Sequence, residues 1–155
     1  MIIRKLKINE IDELKNFIYE AIFIPEGIEK PNKEIILKPE LKIYYEDFYN
    51  KKDDYCLICE DNNKIIGAVW TRIMNDYGHI DDDTPSLAIS LYKEYRGKGI
   101  GTKLILSMFN LLKDNGYNKI SLSVQKDNYA KKLYLNVGFK IIKETKEEYI
   151  MVKEL

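Results

Sequence analysis

Three glycines alternate in Glu94-Tyr-Arg-Gly-Lys-Gly-Ile-Gly-Thr102, directly ahead of a segment whose apolar residues Ile100, Leu104, Met108, Leu111 and Leu112 recur at helical spacing. Glycine reaches positive φ and lets another group come close, and a helix N-terminus offers unpaired N–H groups with a partial positive charge. A turn of this kind suits a pyrophosphate. The two familiar nucleotide motifs do not fit. One needs four residues between a glycine and a Gly-Lys pair, and Gly-x-Gly-x-x-Gly would need glycine at Thr102 or Leu104.

A second constellation lies in Ser121-Leu-Ser-Val-Gln-Lys-Asp-Asn-Tyr-Ala-Lys-Lys-Leu-Tyr-Leu-Asn-Val-Gly-Phe139. Ala130 and Tyr134 are four apart and share a helical face, so the small side chain leaves room for a ligand that the phenol reaches one turn later. Asn128 sits at that helix's entrance. Cys56 and Cys59 form a C-x-x-C, but they fall in the strand-like run Tyr55-Cys-Leu-Ile-Cys-Glu60, where residues i and i+3 point to opposite faces. With only His79 to complete a cluster, no metal site is expected.

The elements that must position these residues follow from periodicity. Residues 2 to 8 read as a strand, and Asn9 with Asp12 resembles a capping box that opens a helix through about Ala21. Pro25, Gly27, Pro31 and Pro39 impose an irregular loop, after which Leu41, Tyr44, Tyr45 and Phe48 suggest a short second helix. Residues 55–60 and 64–72 form an antiparallel pair around Asp61-Asn-Asn63. Leu87, Ile89 and Leu91 lie on one face of a fourth strand. The long helix from Gly99 ends at Asn115-Gly116, and a strand follows at 119–124. A helix capped by Asp127 or Asn128 runs to about Val137, and Gly138 stops it before final strands at 139–143 and 148–153. The order β-α-α-β-β-β-α-β-α-β-β describes a mixed α/β sheet in a single domain spanning residues 1–155, without internal repeat or linker.

The R-x-x-G-x-G at Arg96, Gly99 and Gly101, with N-x-A-x-x-x-Y-x-x-x-G-F from Asn128 to Phe139, resembles the GNAT N-acetyltransferase superfamily. The likeness in element order covers most of the chain, and residues 86–139 carry the specific motifs. It implies the GNAT fold with a splayed central sheet and acetyl-CoA as cosubstrate. Backbone contacts to the pyrophosphate would come from Arg96, Gly97, Lys98, Gly99, Ile100, Gly101 and Thr102. The strand around Ile89 and Leu91 would pair with the pantetheine arm through its main chain. Asn128 would contact the cofactor, and Tyr134 would both line its site and protonate the departing thiolate. With reference values near 10 for Tyr and 8.5 for a thiol, that transfer is uphill by about 1.5 units.

The implied reaction is direct attack of a primary amine on the thioester, which requires the amine to lose a proton. Many members of the superfamily place a carboxylate on a central strand. Here those inward positions are Ala88, Ser90, Ser121 and Ser123, so His79 in Tyr77-Gly-His-Ile-Asp-Asp-Asp83 is taken as the candidate proton relay. The missing carboxylate also keeps open a non-catalytic acyl-CoA-binding sensor. An amine acceptor, small molecule or protein, would enter among residues 24–39, 75–85 and 144–147. There Asp81, Asp82, Asp83, Glu26 and Glu29 favour a cation. A homodimer through the final strands is compatible with the family.

Composition sets outer bounds. The chain has 155 residues, 45% hydrophobic and 32% charged, as an ordered globular domain requires. Lys+Arg and Asp+Glu are both 25, which argues against nucleic acid or an anionic membrane as principal partner. No apolar run approaches the roughly 20 residues of a membrane span, and the opening Met1-Ile-Ile-Arg-Lys-Leu-Lys lacks a signal sequence's apolar core. A cytoplasmic enzyme is the expectation.

Overall fold

Alternating apolar residues build a seven-stranded sheet in the computed structural model, which describes residues 1–155. The strands are β1 (Ile2–Lys5), β2 (Tyr55–Asp61), β3 (Lys64–Arg72), β4 (Ser86–Leu91), β5 (Lys119–Gln125), β6 (Lys140–Glu144) and β7 (Glu148–Glu154). Their spatial order is β1-β2-β3-β4-β5-β7-β6, antiparallel at every ladder except β4–β5. The helices are α1 (Glu13–Ala21), α2 (Pro39–Lys42), α3 (Ile100–Asp114) and α4 (Ala130–Asn136), so the sequence of elements is the expected one. No helix is long and apolar enough to cross a membrane.

The first expected cap is not made. Asp12 precedes α1 without a side-chain bond to it, and β1 ends at Lys5. Instead a 3-10 turn at Ile8–Glu10 intervenes, in which Glu10 Oε1 accepts from the Lys7 N–H at 2.8 Å. The reason is a contact from the preceding strand: Arg4 of β1 grips Glu10 through two bonds of 2.9 and 2.8 Å and so fixes the carboxylate that caps. The β2–β3 connection does follow its sequence signal, with Asn62 and Asn63 at φ of 50° and 66° forming a two-residue hairpin loop.

Each face of the sheet carries its own core. Leu104, Ile105, Met108 and Leu112 of α3 pack on Val69, Leu122 and Met151. Leu14, Phe17 and Ile18 of α1 pack with Phe48 on Ile58 and Trp70. Cys56 belongs to the second core and Cys59 to the first, as strand alternation requires, and both are buried free thiols. Desolvation holds both thiols above their ordinary pKa.

A buried ion pair braces the segment after α2. Arg72 donates from Nε to Asp54 Oδ1 at 3.1 Å and from Nη2 to Oδ2 at 3.0 Å, and its Nη1 donates to the carbonyls of Ile43 and Glu46. Trp70 Nε1 donates to the Tyr44 carbonyl at 3.0 Å. Tyr44 is therefore held against the sheet by residues of β3.

Candidate active site

The parallel neighbours β4 and β5 share one paired position, Ser86 with Ser121, and form no ladder beyond it. The sheet is thus split where β4 runs toward the glycine turn. Leu87, Ile89 and Leu91 face the α3 side of that split, whereas Ser86, Ala88 and Ser90 face the α1 side.

The turn beyond β4 is built to present its backbone. Gly97 and Gly99 adopt φ of 74° and 82°, and a Cβ at either would meet nothing within 4 Å, so conformation rather than space demands glycine there. None of the N–H groups from Gly97 through Thr102 has an acceptor in the protein; the first that does is Lys103, bonded to the Gly99 carbonyl. These donors converge at the start of the fifteen-residue α3, where the helix dipole adds a partial positive charge. Lys98 is exposed beside them. The arrangement fits an extended polyanion such as the pyrophosphate of acetyl-CoA.

Arg96 contributes differently from the expectation. Its N–H is already bonded to the Lys93 carbonyl, and its guanidinium donates to Leu91 O at 2.9 Å and to the backbone and carboxylate of Glu20. It therefore ties the end of β4 to α1 and shapes the turn, and the free donors begin one residue later. Gly101 provides room: a Cβ there would stand 3.5 Å from Leu133 Cδ2 and 3.9 Å from Ile89 Cδ1, where α3, α4 and β4 meet.

Tyr134 lies on α4, almost fully buried, with its ring 5.8 Å from that of Phe139. Burial pushes its phenol up to about 12, so protonating a thiolate from it is harder than the reference values suggest. The same dry surroundings raise the proton affinity of a thiolate held there, which narrows the gap. Asn128 starts α4 as expected, its Oδ1 accepting from the Ala130 N–H at 2.9 Å and its Nδ2 donating to Gln125 Oε1 at 3.0 Å. One Nδ2 hydrogen remains for a ligand.

On the α1 side of the sheet, a cavity of about 710 Å³ opens between the β3–β4 loop and the β6–β7 hairpin. His79 and Tyr77 line one wall, Glu148 and Ile150 the other. His79 Nε2 lies 3.4 Å from Asp82 Oδ1, while Nδ1 is buried and unpartnered. Asp81 is turned to Lys119 and to the Asp83 N–H; the Thr84 hydroxyl first, then that N–H and Lys119, hold its carboxyl below the usual range.

Sequence reasoning missed three residues here. Asp76 accepts from Tyr44 OH at 2.9 Å and from Ser86 Oγ at 2.8 Å, and burial pushes its carboxyl up against these bonds. Burial first, then the charges of Glu147 and Asp76, raise the Glu148 carboxyl. Burial also raises the Tyr44 phenol, with Asp76 and Glu148 adding to it. Only alternation along the last strand hinted at Glu148: it stands opposite Gln125, on the same face as Ser123 and Ile150.

The model of the acetyltransferase (GNAT) family matches residues 18–139. N-alpha-acetyltransferase 30 of Schizosaccharomyces pombe is 30% identical over 103 residues, which are 66% of this chain and 68% of that one. A probable N-acetyltransferase camello of Xenopus tropicalis is 30% identical over 61% of this chain, which spans less than half of that longer relative at 43%. Among solved structures, the PaiA N-acetyltransferase of Thermoplasma acidophilum, in complex with coenzyme A, superposes with a TM-score of 0.68 at 25% identity over 99% of this chain and 98% of that one. The ribosomal-protein-alanine N-acetyltransferase of Brucella melitensis shares the fold at 16% identity, with a TM-score of 0.71 over the whole of both chains. With its split sheet, its run of free backbone donors and a family match across most of its length, this chain belongs to the GNAT acetyltransferase family.

Proposed function

We propose that the chain transfers the acetyl group of acetyl-CoA to a primary amine by direct attack on the thioester. The observation that carries this reading is the run of unpaired N–H groups from Gly97 to Thr102, set at the end of the unpaired edge of β4. The backbone of residues 97–102 holds the pyrophosphate, and the β4 main chain around Ile89 and Leu91 receives the pantetheine arm. Asn128 gives its remaining amide hydrogen to the cosubstrate. Tyr134 returns a proton to the sulfur as the C–S bond breaks, a role for which a high pKa keeps it protonated at neutral pH.

The acceptor enters from the opposite face, through the cavity between His79 and Glu148. His79 lines that cavity with Nε2 beside Asp82 and is the wall residue able to relay a proton. The relative named an N-alpha-acetyltransferase supports testing an α-amine first, beside lysine and spermidine. A non-catalytic acyl-CoA sensor is the competing reading, favoured by the serines and alanine that face the acceptor side on the central strands.

Calorimetric titration with acetyl-CoA, followed by measurement of thiol release with a peptide bearing a free N-terminus, lysine and spermidine, tests both. Micromolar binding with turnover of any amine supports the transferase. Binding without turnover of any of them selects the sensor, and no binding removes both.

A further inference from the structure

We infer that Glu148 is the catalytic proton acceptor for the attacking amine, with Asp76 and Tyr44 forming a hydrogen-bonded anionic wall behind it. This rests on the acetyltransferase reading above and assigns the base that the central strands lack. Glu148 begins β7 directly opposite Gln125, one alternation step from the Ser123–Ile150 pair and on the same face of the sheet. A carboxylate here reaches the acceptor side of the split sheet from the neighbouring strand, while β5 itself carries no carboxylate on that face, only Lys119, Ser121, Ser123 and Gln125. Its side chain lines the 710 Å³ cavity, and its carboxylate enters no hydrogen bond or ion pair within the protein while its backbone N–H donates to Thr145 Oγ1, so the carboxylate is free to take a proton.

Asp76 is set aside for that part, because the bonds its oxygens accept from Tyr44 and Ser86 favour its charged form. Burial first, then the charges of Glu147 and of Asp76, instead make Glu148 a stronger base. His79 has one nitrogen shut off from the cavity and the other beside Asp82. The groups facing Glu148 are therefore Tyr44 from the segment after α2, Asp76, Tyr77 and His79 from the β3–β4 loop, and Glu147 on its own hairpin. Lys143 and Lys146 line the same cavity from the hairpin without pairing with it.

In the step itself, an ammonium acceptor gives one proton to the Glu148 carboxylate. The freed nitrogen pair forms the N–C bond, the C–S bond breaks, and the sulfur takes the Tyr134 proton. The second proton on nitrogen leaves to solvent with that of Glu148, and Tyr134 is reprotonated from solvent.

The test compares the wild type with Glu148→Gln and His79→Gln, using whichever amine of the panel turns over fastest. For Glu148→Gln we expect unchanged acetyl-CoA binding and kcat/KM lowered about 100-fold at pH 7, the low end for a general base. Wild-type kcat/KM should fall only at acid pH, where Glu148 protonates. In the variant it should climb about tenfold per pH unit toward the amine's own pKa, about 8 for a peptide N-terminus and about 10 for a lysine or polyamine nitrogen, because only amine already neutral can react. Full activity with a wild-type profile in Glu148→Gln would overturn the assignment, as would transfer of that behaviour to His79→Gln. Loss of acetyl-CoA binding together with activity would also overturn it, by making Glu148 structural. A wild type that binds acetyl-CoA but acetylates none of the amines would instead sink the transferase reading, and this assignment with it.

Discussion

The two sides of the split sheet are constructed on different principles. The donor side is a local object: β4, the turn from Gly97 to Thr102 and α3 follow one another directly, α4 comes one strand later, and the key donors are backbone N–H groups. The acceptor side is assembled from afar. Tyr44, Asp76 and Glu148 meet there through bonds that span 32 residues in one case and a separate strand in another. A binding surface made of main chain needs only a conformation. One made of side chains needs the whole tertiary structure to be right.

The sharpest way to break this contrast is to remove the brace of the acceptor side. Arg72→Ala leaves Asp54 buried without its partner and frees the carbonyls of Ile43 and Glu46. Loss of one member of a buried pair costs about 3–5 kcal/mol, so we expect a large drop in stability in urea unfolding. Stability close to wild type would mean that the segment bearing Tyr44 holds its place without Arg72. On the donor side, Gly99→Glu should do the reverse and spare most of the fold. An added carboxylate at φ +82° strains the backbone by about 1–2 kcal/mol and repels the pyrophosphate. Acetyl-CoA affinity should weaken about 100-fold by calorimetry, near 3 kcal/mol. An unchanged Kd would show that the turn does not bind the cosubstrate.

Tyr134→Phe sharpens the comparison at the point where the two sides meet. The ring and its packing on Phe139 remain, and only the hydroxyl is lost. We expect kcat to fall about 100-fold at unchanged acetyl-CoA affinity, as for loss of a general acid. An unaltered kcat would leave thiolate protonation to water and make the tyrosine a core residue.

The same contrast explains what the sequence disclosed. Gly99, Gly116 and Gly138 mark their turns in the primary structure because each needs positive φ, and Leu87, Ile89 and Leu91 alternate along β4 toward the α3 core. The cap at Asn9 and Asp12 misled because the residue that wins, Glu10, is held by Arg4 from β1, a contact no local pattern encodes. Arg96 matched its motif, but its bonds to Glu20 depend on where α1 ends. Glu148 escaped notice for a related reason. Its alternation was visible, but its value as a base depends on the β5–β7 register and on Asp76 across the cavity.

The acidic run at 81–83 carries the smallest expected effect, and it probes whether charge alone defines the acceptor side. Asp81 is spent on Lys119 and the Asp83 N–H, while the Asp82 carboxylate is almost wholly exposed beside His79. An exposed charge in water contributes little to holding a cation, about 1 kcal/mol at most. Asp82→Asn should therefore change KM for spermidine by no more than about fivefold at 0.15 M salt, and less at higher salt. A much larger increase would move cation recognition out of the half-buried Asp76–Glu148 wall and onto the surface loop. The acceptor side would then resemble the donor side after all, as a recognition element written into one short stretch of chain.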